Sequence, residues 1–131
     1  MIARLAAVPA TFVHGEFYAS NVLVDPTPGR LRVCPVDWEM AGLGPGLVDL
    51  AALVTGWAEE DREALALRYH SALPSRGGWA PTYPEFRVLL DCSRLMLAVQ
   101  WLGWSPQWSP PEEHARDWLA DAMELADGLG L

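Results

Sequence analysis

Lysine is absent: all nine basic residues of the chain are arginine. Any mechanism that depends on a lysine ammonium must draw it from elsewhere, because a planar guanidinium does not replace a compact point charge. Cysteine is nearly as scarce. Cys34 and Cys92 stand far apart without CxxC spacing, which fits a reducing compartment rather than a disulfide framework. No stretch approaches the ~20 apolar residues of a membrane span, and Met1-Ile2-Ala3-Arg4 does not open a complete signal peptide. The expectation is a soluble, unsecreted, cytoplasmic protein with no membrane partner. A dense basic cluster is lacking too, and the formal net charge is -8. Neutralising phosphates needs a cationic face, so nucleic acid is not an expected partner, whereas a cationic small molecule is easily accommodated.

What the chain does have is apolar bulk. Of its 131 residues 51% are hydrophobic, enough for one substantial core without disulfide or metal staples. With no repeat, low-complexity tract or linker, residues 1–131 read as a single domain. The first third has the character of strands and loops. Thr11-Phe12-Val13 is short and β-prone, and Asn21-Val22-Leu23-Val24 runs into the turn formers Asp25-Pro26-Thr27-Pro28-Gly29 before Arg30 to Val36 returns. This predicts a β-hairpin, with Pro35 at an edge or strand end and Asp37 where the strand stops.

From Leu47 the period becomes helical. The stretch from Leu47 to Val54 is apolar on most sides apart from Asp49, which predicts a buried helix. A second helix, from Glu59 to Leu73, opens on acidic residues and carries Leu65, Tyr69, Ala72 and Leu73 in one stripe. The Thr82 and Glu85 pair has capping-box spacing ahead of a third, bearing Phe86, Leu89, Leu90, Leu97 and Trp101. Ser109, Pro110 and Glu112 signal a last helix with Ala115, Trp118, Leu119, Ala122 and Met123 on one face and Gly128 as its stop. The fold class is α+β: a short β-hairpin near the N-terminus followed by a mainly helical bundle of about four helices.

Three polar positions fall where loops leave strands: His14-Gly15-Glu16 after the first strand, Asn21 five residues beyond Glu16, and Asp37 at the end of the returning strand. A hairpin sets its two ends side by side, so Asn21 and Asp37 are expected together although sixteen positions apart. One amide and one carboxylate suit a hard cation such as Mg²⁺, which keeps waters and substrate phosphates as further ligands. A carboxylate on the same loop, Glu16, could orient an incoming hydroxyl and accept its proton during phosphoryl transfer. Taken singly, Asn21 reads as a turn residue and Asp37 as a cap; the spacing makes them a site.

The run from Val13 to Asp25, with His14-Gly15-Glu16 and then Asn21, resembles the catalytic loop of aminoglycoside phosphotransferases and choline kinase-like enzymes, whose pattern is His-Gly-Asp, four residues, Asn. The run from Val36 to Ala51 resembles that family's metal-binding segment and the Asp-Leu-Ala helix start after it. The resemblance implies the C-terminal lobe of a protein kinase-like fold, ATP and Mg²⁺ as cofactors, and transfer of the ATP γ-phosphoryl group to a small-molecule hydroxyl. It makes Glu16 the counterpart of the catalytic aspartate, Asn21 and Asp37 the metal ligands, and Asp49 and His14 structural supports of the catalytic loop. Glu16 adds one methylene to the family's aspartate. The resemblance also implies an N-terminal nucleotide-binding lobe with a phosphate-binding lysine, which is absent from this chain. The alternative expectation is therefore a truncated noncatalytic remnant acting as a binding module, with self-association into a homodimer covering the face meant for the missing lobe.

Other features have plainer readings. Gly42-Leu43-Gly44-Pro45-Gly46 lacks the ending of a P-loop and reads as a turn. His70 and His114 have no second ligand at i+4 and are not expected to hold metal. Most of the seven tryptophans are expected to pack in the core and loops, with an aromatic wall for a cationic substrate as the alternative, and Trp38 is expected beneath the site.

Overall fold

The computed structural model describes residues 1–73, 78–104 and 115–131. A short helix, α1 (Ile2–Ala6), precedes β1 (Ala10–Val13). A single 3₁₀ turn (Ala19–Asn21) then leads into β2 (Val22–Asp25) and β3 (Arg32–Pro35), followed by β4 (Gly42–Pro45) and the helices α2 (Leu47–Leu53), α3 (Glu59–Ala72), α4 (Tyr83–Trp104) and α5 (Trp118–Leu129). The α+β reading is thus right. The first third also contains α1, which the strand-and-loop reading omits.

The hairpin is β2 against β3, antiparallel, with Val22 opposite Pro35 and Asp25 opposite Arg32. Asp25 Oδ1 accepts from both Thr27 N (3.1 Å) and Thr27 Oγ1 (2.6 Å), closing the turn, the local side-chain bonding for which Asp is favoured there. A second antiparallel pair was not expected. β4, read from sequence as a turn, is a strand that pairs with β1, Val13 opposite Gly42 and Ala10 opposite Pro45. Its glycines and proline carry no strand propensity; β1 supplies the ladder, a contact between distant segments that overrides the local preference.

α2 occupies the centre. Leu47, Leu50, Ala51 and Val54 pack with Ala66 of α3 and with Phe86 and Leu90 of α4 in one buried cluster. α4 packs against α1, α2, α3 and α5. At its start Glu85 Oε2 accepts from Thr82 N at 2.8 Å and from Thr82 Oγ1 at 2.7 Å, so the paired capping residues do meet. On α3, Leu65, Tyr69 and Leu73 lean on the core as expected, but Ala72 faces outward, and Ala66 takes the buried place.

The last helix differs more. Its Ser109, Pro110 and Glu112 signal, together with His114 and Trp108, lies outside the described residues, and Ala115 precedes the helix. Asp117 is the N-cap, its side chain accepting from Ala120 N at 2.9 Å. Gly128 does not stop the helix; Gly130, left-handed at φ 69°, does. The inward stripe is Trp118, Ala122, Leu125, Ala126 and Leu129, while Leu119 and Met123 are exposed. Among the described residues no helix is long and apolar enough to cross a membrane, and Cys34 and Cys92 are both free.

Candidate active site

The loop that follows β1 is held from below by the first turn of α2. Asp49 Oδ2 accepts from His14 N at 2.7 Å and Asp49 Oδ1 from Gly15 N at 2.9 Å. Both oxygens of one carboxylate are thus committed to consecutive backbone amides, an arrangement that fixes the loop's direction as it leaves the strand. Gly15 has φ +87°, and a Cβ there would overlap the carbonyl oxygen of Met40. Only glycine takes that conformation and that approach together.

His14 is buried, with 2% of its surface exposed, and both ring nitrogens bind backbone. Glu16 N donates to Nδ1 at 3.3 Å, and Nε2 donates to the carbonyl of Val36 at 2.9 Å. That pattern defines a neutral imidazole protonated on Nε2. The Trp38 ring lies against it, centroids 4.5 Å apart, and stacks at 6.0 Å on Phe12, while Trp38 Nε1 donates to Pro35 O at 3.0 Å. Trp38 is 47% exposed, so it lines the site's flank as well as packing on it.

The 3₁₀ turn folds the loop back on itself. Tyr18 N donates to Glu16 O at 2.8 Å and Asn21 N to Tyr18 O at 2.9 Å. The Asn21 amide Nδ2 donates to Glu16 O at 2.9 Å, which leaves Oδ1 as the end of that amide able to meet a cation. Val36 N donates to Asn21 O at 2.9 Å, extending the hairpin one step beyond its ladder. The backbone next to Asp37 is thereby pinned beside Asn21. Asp37 is the one non-glycine residue with positive φ among those described, at 64°, and it is exposed. Such a conformation costs an L-residue of this kind about 1 kcal/mol and concentrates at functional positions.

Glu16, Asn21, Asp37, His14 and Asp49 therefore share one connected patch, tied through Val36 and the loop backbone. The side chain of Glu16 is partly exposed and its carboxylate meets neither Asn21 nor Asp37 directly. Two further residues shape the patch without having been singled out. Gly15 had a signal, a glycine between two polar loop residues. Tyr18 had none: its phenol accepts from Trp101 Nε1 at 2.8 Å, across 83 positions of sequence. Burial, opposed by that hydrogen bond and reinforced by the Glu16 charge, pushes the Tyr18 hydroxyl up to about 12.

No curated protein and no solved structure matches the chain. The sequence model of the phosphotransferase enzyme family matches residues 1–89, which span the loop, the hairpin, β4, α2, α3 and the start of α4. On this match over more than half its length, the chain belongs to the phosphotransferase enzyme family.

Proposed function

We propose that this chain is the catalytic lobe of an ATP- and Mg²⁺-dependent phosphotransferase that moves the γ-phosphoryl group of ATP to a hydroxyl of a small molecule. The observation that carries the reading is the Val36 to Asn21 hydrogen bond, which sets a left-handed, exposed Asp37 beside Asn21 at the base of the hairpin. The family generally draws on ATP and Mg²⁺. The donor set fits: one carboxylate and one amide oxygen suit a hard cation whose other positions are filled by water and nucleotide phosphates. Bound there, Mg²⁺ would offset the charge on the transferring phosphates.

The chain's own groups divide the work. Asn21 and Asp37 hold the cation. Glu16 accepts a hydrogen bond from the acceptor hydroxyl, orients it, and takes its proton as transfer proceeds. Asp49 and His14 keep the loop backbone in place, so that these groups are not repositioned at each turnover. The net charge of -8 favours a cationic alcohol as acceptor. Nucleotide covering and the phosphate-binding ammonium would come from another lobe.

Calorimetric titration of the chain with Mg·ATP, alongside Asp37→Ala, tests the assignment: a saturable heat that the variant loses is expected, and equal heats in both would overturn it. A second reading is a binding or self-associating module. It is favoured by Phe12, Leu23, Leu31, Val33 and Leu43, apolar residues of the strand region that are each more than half exposed and form surface of the kind partners cover. Sedimentation at rising concentration separates the two, a concentration-dependent dimer without Mg·ATP heat supporting the module.

A further inference from the structure

A cavity of about 570 Å³ opens between the start of β1 and the C-terminal end of α3, and none of the residues from His14 to Asp37 lines it. Val8, Pro9, Leu73 and Trp79 give it apolar walls. No lining residue among those described is charged, although the chain carries a formal net charge of -8. Such a lining penalises an ionised ligand, which loses hydration there without gaining a partner. The volume lies within the range of small-molecule sites, whose walls are mostly apolar and whose few polar groups fix the ligand's orientation.

The fixed polar group in this space is the Tyr69 hydroxyl. The Tyr69 ring stacks on Phe86, centroids 6.0 Å apart, and leans on the core, which holds the phenol in one place. A Cβ on Gly46 would come within 2.6 Å of Tyr69 Oη and 3.2 Å of Thr11 Cγ2, so glycine makes the room the phenol occupies, and all three residues line the cavity. Among the described residues no acceptor receives the Tyr69 proton. Nor is the hydroxyl sealed within the protein: among the described residues the buried side-chain donor without a partner is Arg87 Nε. Burial and then the Asp49 charge push the phenol up, so it stays a neutral donor. The Trp79 indole has no aromatic or guanidinium neighbour among the described residues.

We propose that this cavity binds a neutral, flat small molecule that sets a carbonyl-type acceptor on the Tyr69 hydroxyl and its ring against Trp79, at a site separate from the phosphoryl-transfer loop. Apolar burial supplies the affinity, and the single directed hydrogen bond supplies the orientation. An anion is disfavoured by the Asp49 charge that acts on Tyr69. A cation meets no carboxylate among the described lining residues. Thr11 belongs to β1, which runs into His14, and Gly46 is the N-cap of α2, whose Asp49 holds the loop amides. The occupant thus rests on both elements that carry the transfer loop, without entering it.

The test titrates the whole chain with three probes of similar size: coumarin, neutral with a lactone carbonyl; 2-naphthoate, an anion; and N-methylquinolinium, a cation. Binding is followed by the NMR shift of the assigned Trp79 indole N–H. Coumarin is expected to saturate that shift and to bind about tenfold more tightly than either charged probe. Tyr69→Phe, which keeps the ring and loses the donor, should weaken coumarin roughly fivefold, while Asp37→Ala should leave it unchanged. If circular dichroism shows Tyr69→Phe unfolded, Ala72→Phe is read instead, since it adds bulk to the lining from an exposed helix position and should abolish the shift. No saturation up to the solubility of coumarin, a charged probe binding as tightly, or native affinity in the folded variant overturns the proposal. Its failure would leave the Mg·ATP reading untouched.

Discussion

Asparagine at position 49 would keep the shape of the side chain and remove one acceptor. In the native structure the carboxylate receives His14 N at 2.7 Å and Gly15 N at 2.9 Å. Asparagine can accept from only one of these; its NH₂ group would confront the other amide, donor against donor. A hydrogen bond to a charged group contributes about 1.5–3 kcal/mol, and a partly buried amide left unmatched costs about 1–3 kcal/mol. Partial access of water to the loop trims that total, giving a net loss of about 3 kcal/mol for Asp49→Asn. At this chain length that corresponds to a fall in Tm of roughly 10 °C. Urea unfolding gives the global figure, and amide exchange at His14 and Gly15 the local one, expected to quicken by about 10²-fold if the loss falls on the loop. A variant within ~0.5 kcal/mol of the native chain, with exchange at both amides unchanged, would refute the idea that this carboxylate supports the loop.

Gly15→Ala should destabilise by about 2–4 kcal/mol in the same urea assay, because a left-handed backbone at φ +87° and overlap with Met40 O add together. Asp37→Gly should instead stabilise by up to about 1 kcal/mol, relieving positive φ, while abolishing the Mg·ATP heat in calorimetry; a functional position held at a stability cost behaves this way. Tyr18 gives a pH prediction. Its folded value of about 12 exceeds the ordinary 10, so the folded state holds the proton longer than the unfolded state. Its contribution is complete below pH 10 and lost as pH rises to about 12, a change of up to about 2 kcal/mol after discounting residual exposure. Tyr18→Phe should flatten that window in urea melts taken at successive pH values.

Much of the site was legible because its spacing is local. The Asp25 to Gly29 turn dictates a hairpin, and a hairpin necessarily brings its ends together, so Asn21 and the segment at Asp37 could be paired on paper. The helices from Leu47, Glu59 and Thr82 were legible for a similar reason, since period and caps act within a few residues. The β1 and β4 pairing was not. Gly42-Leu43-Gly44-Pro45 has the composition of a turn, and becomes a strand only because Val13 meets Gly42 across 29 positions. Ala115 was expected on the last helix, which among the described residues begins only at Trp118, because Asp117 caps it there.

By itself the sequence determined the chemistry on offer: an acidic loop pattern, a hairpin that gathers it, and no lysine. Only the tertiary structure decided how those groups are held. It set both Asp49 oxygens on two loop amides, spent both nitrogens of His14 on backbone, and bent Asp37 into a left-handed conformation. It also drew Thr11, Gly46 and Tyr69 from three separate segments around one cavity. Contacts of this kind depend on which helix faces which, and that is fixed by burial of the whole core rather than by any run of neighbouring residues.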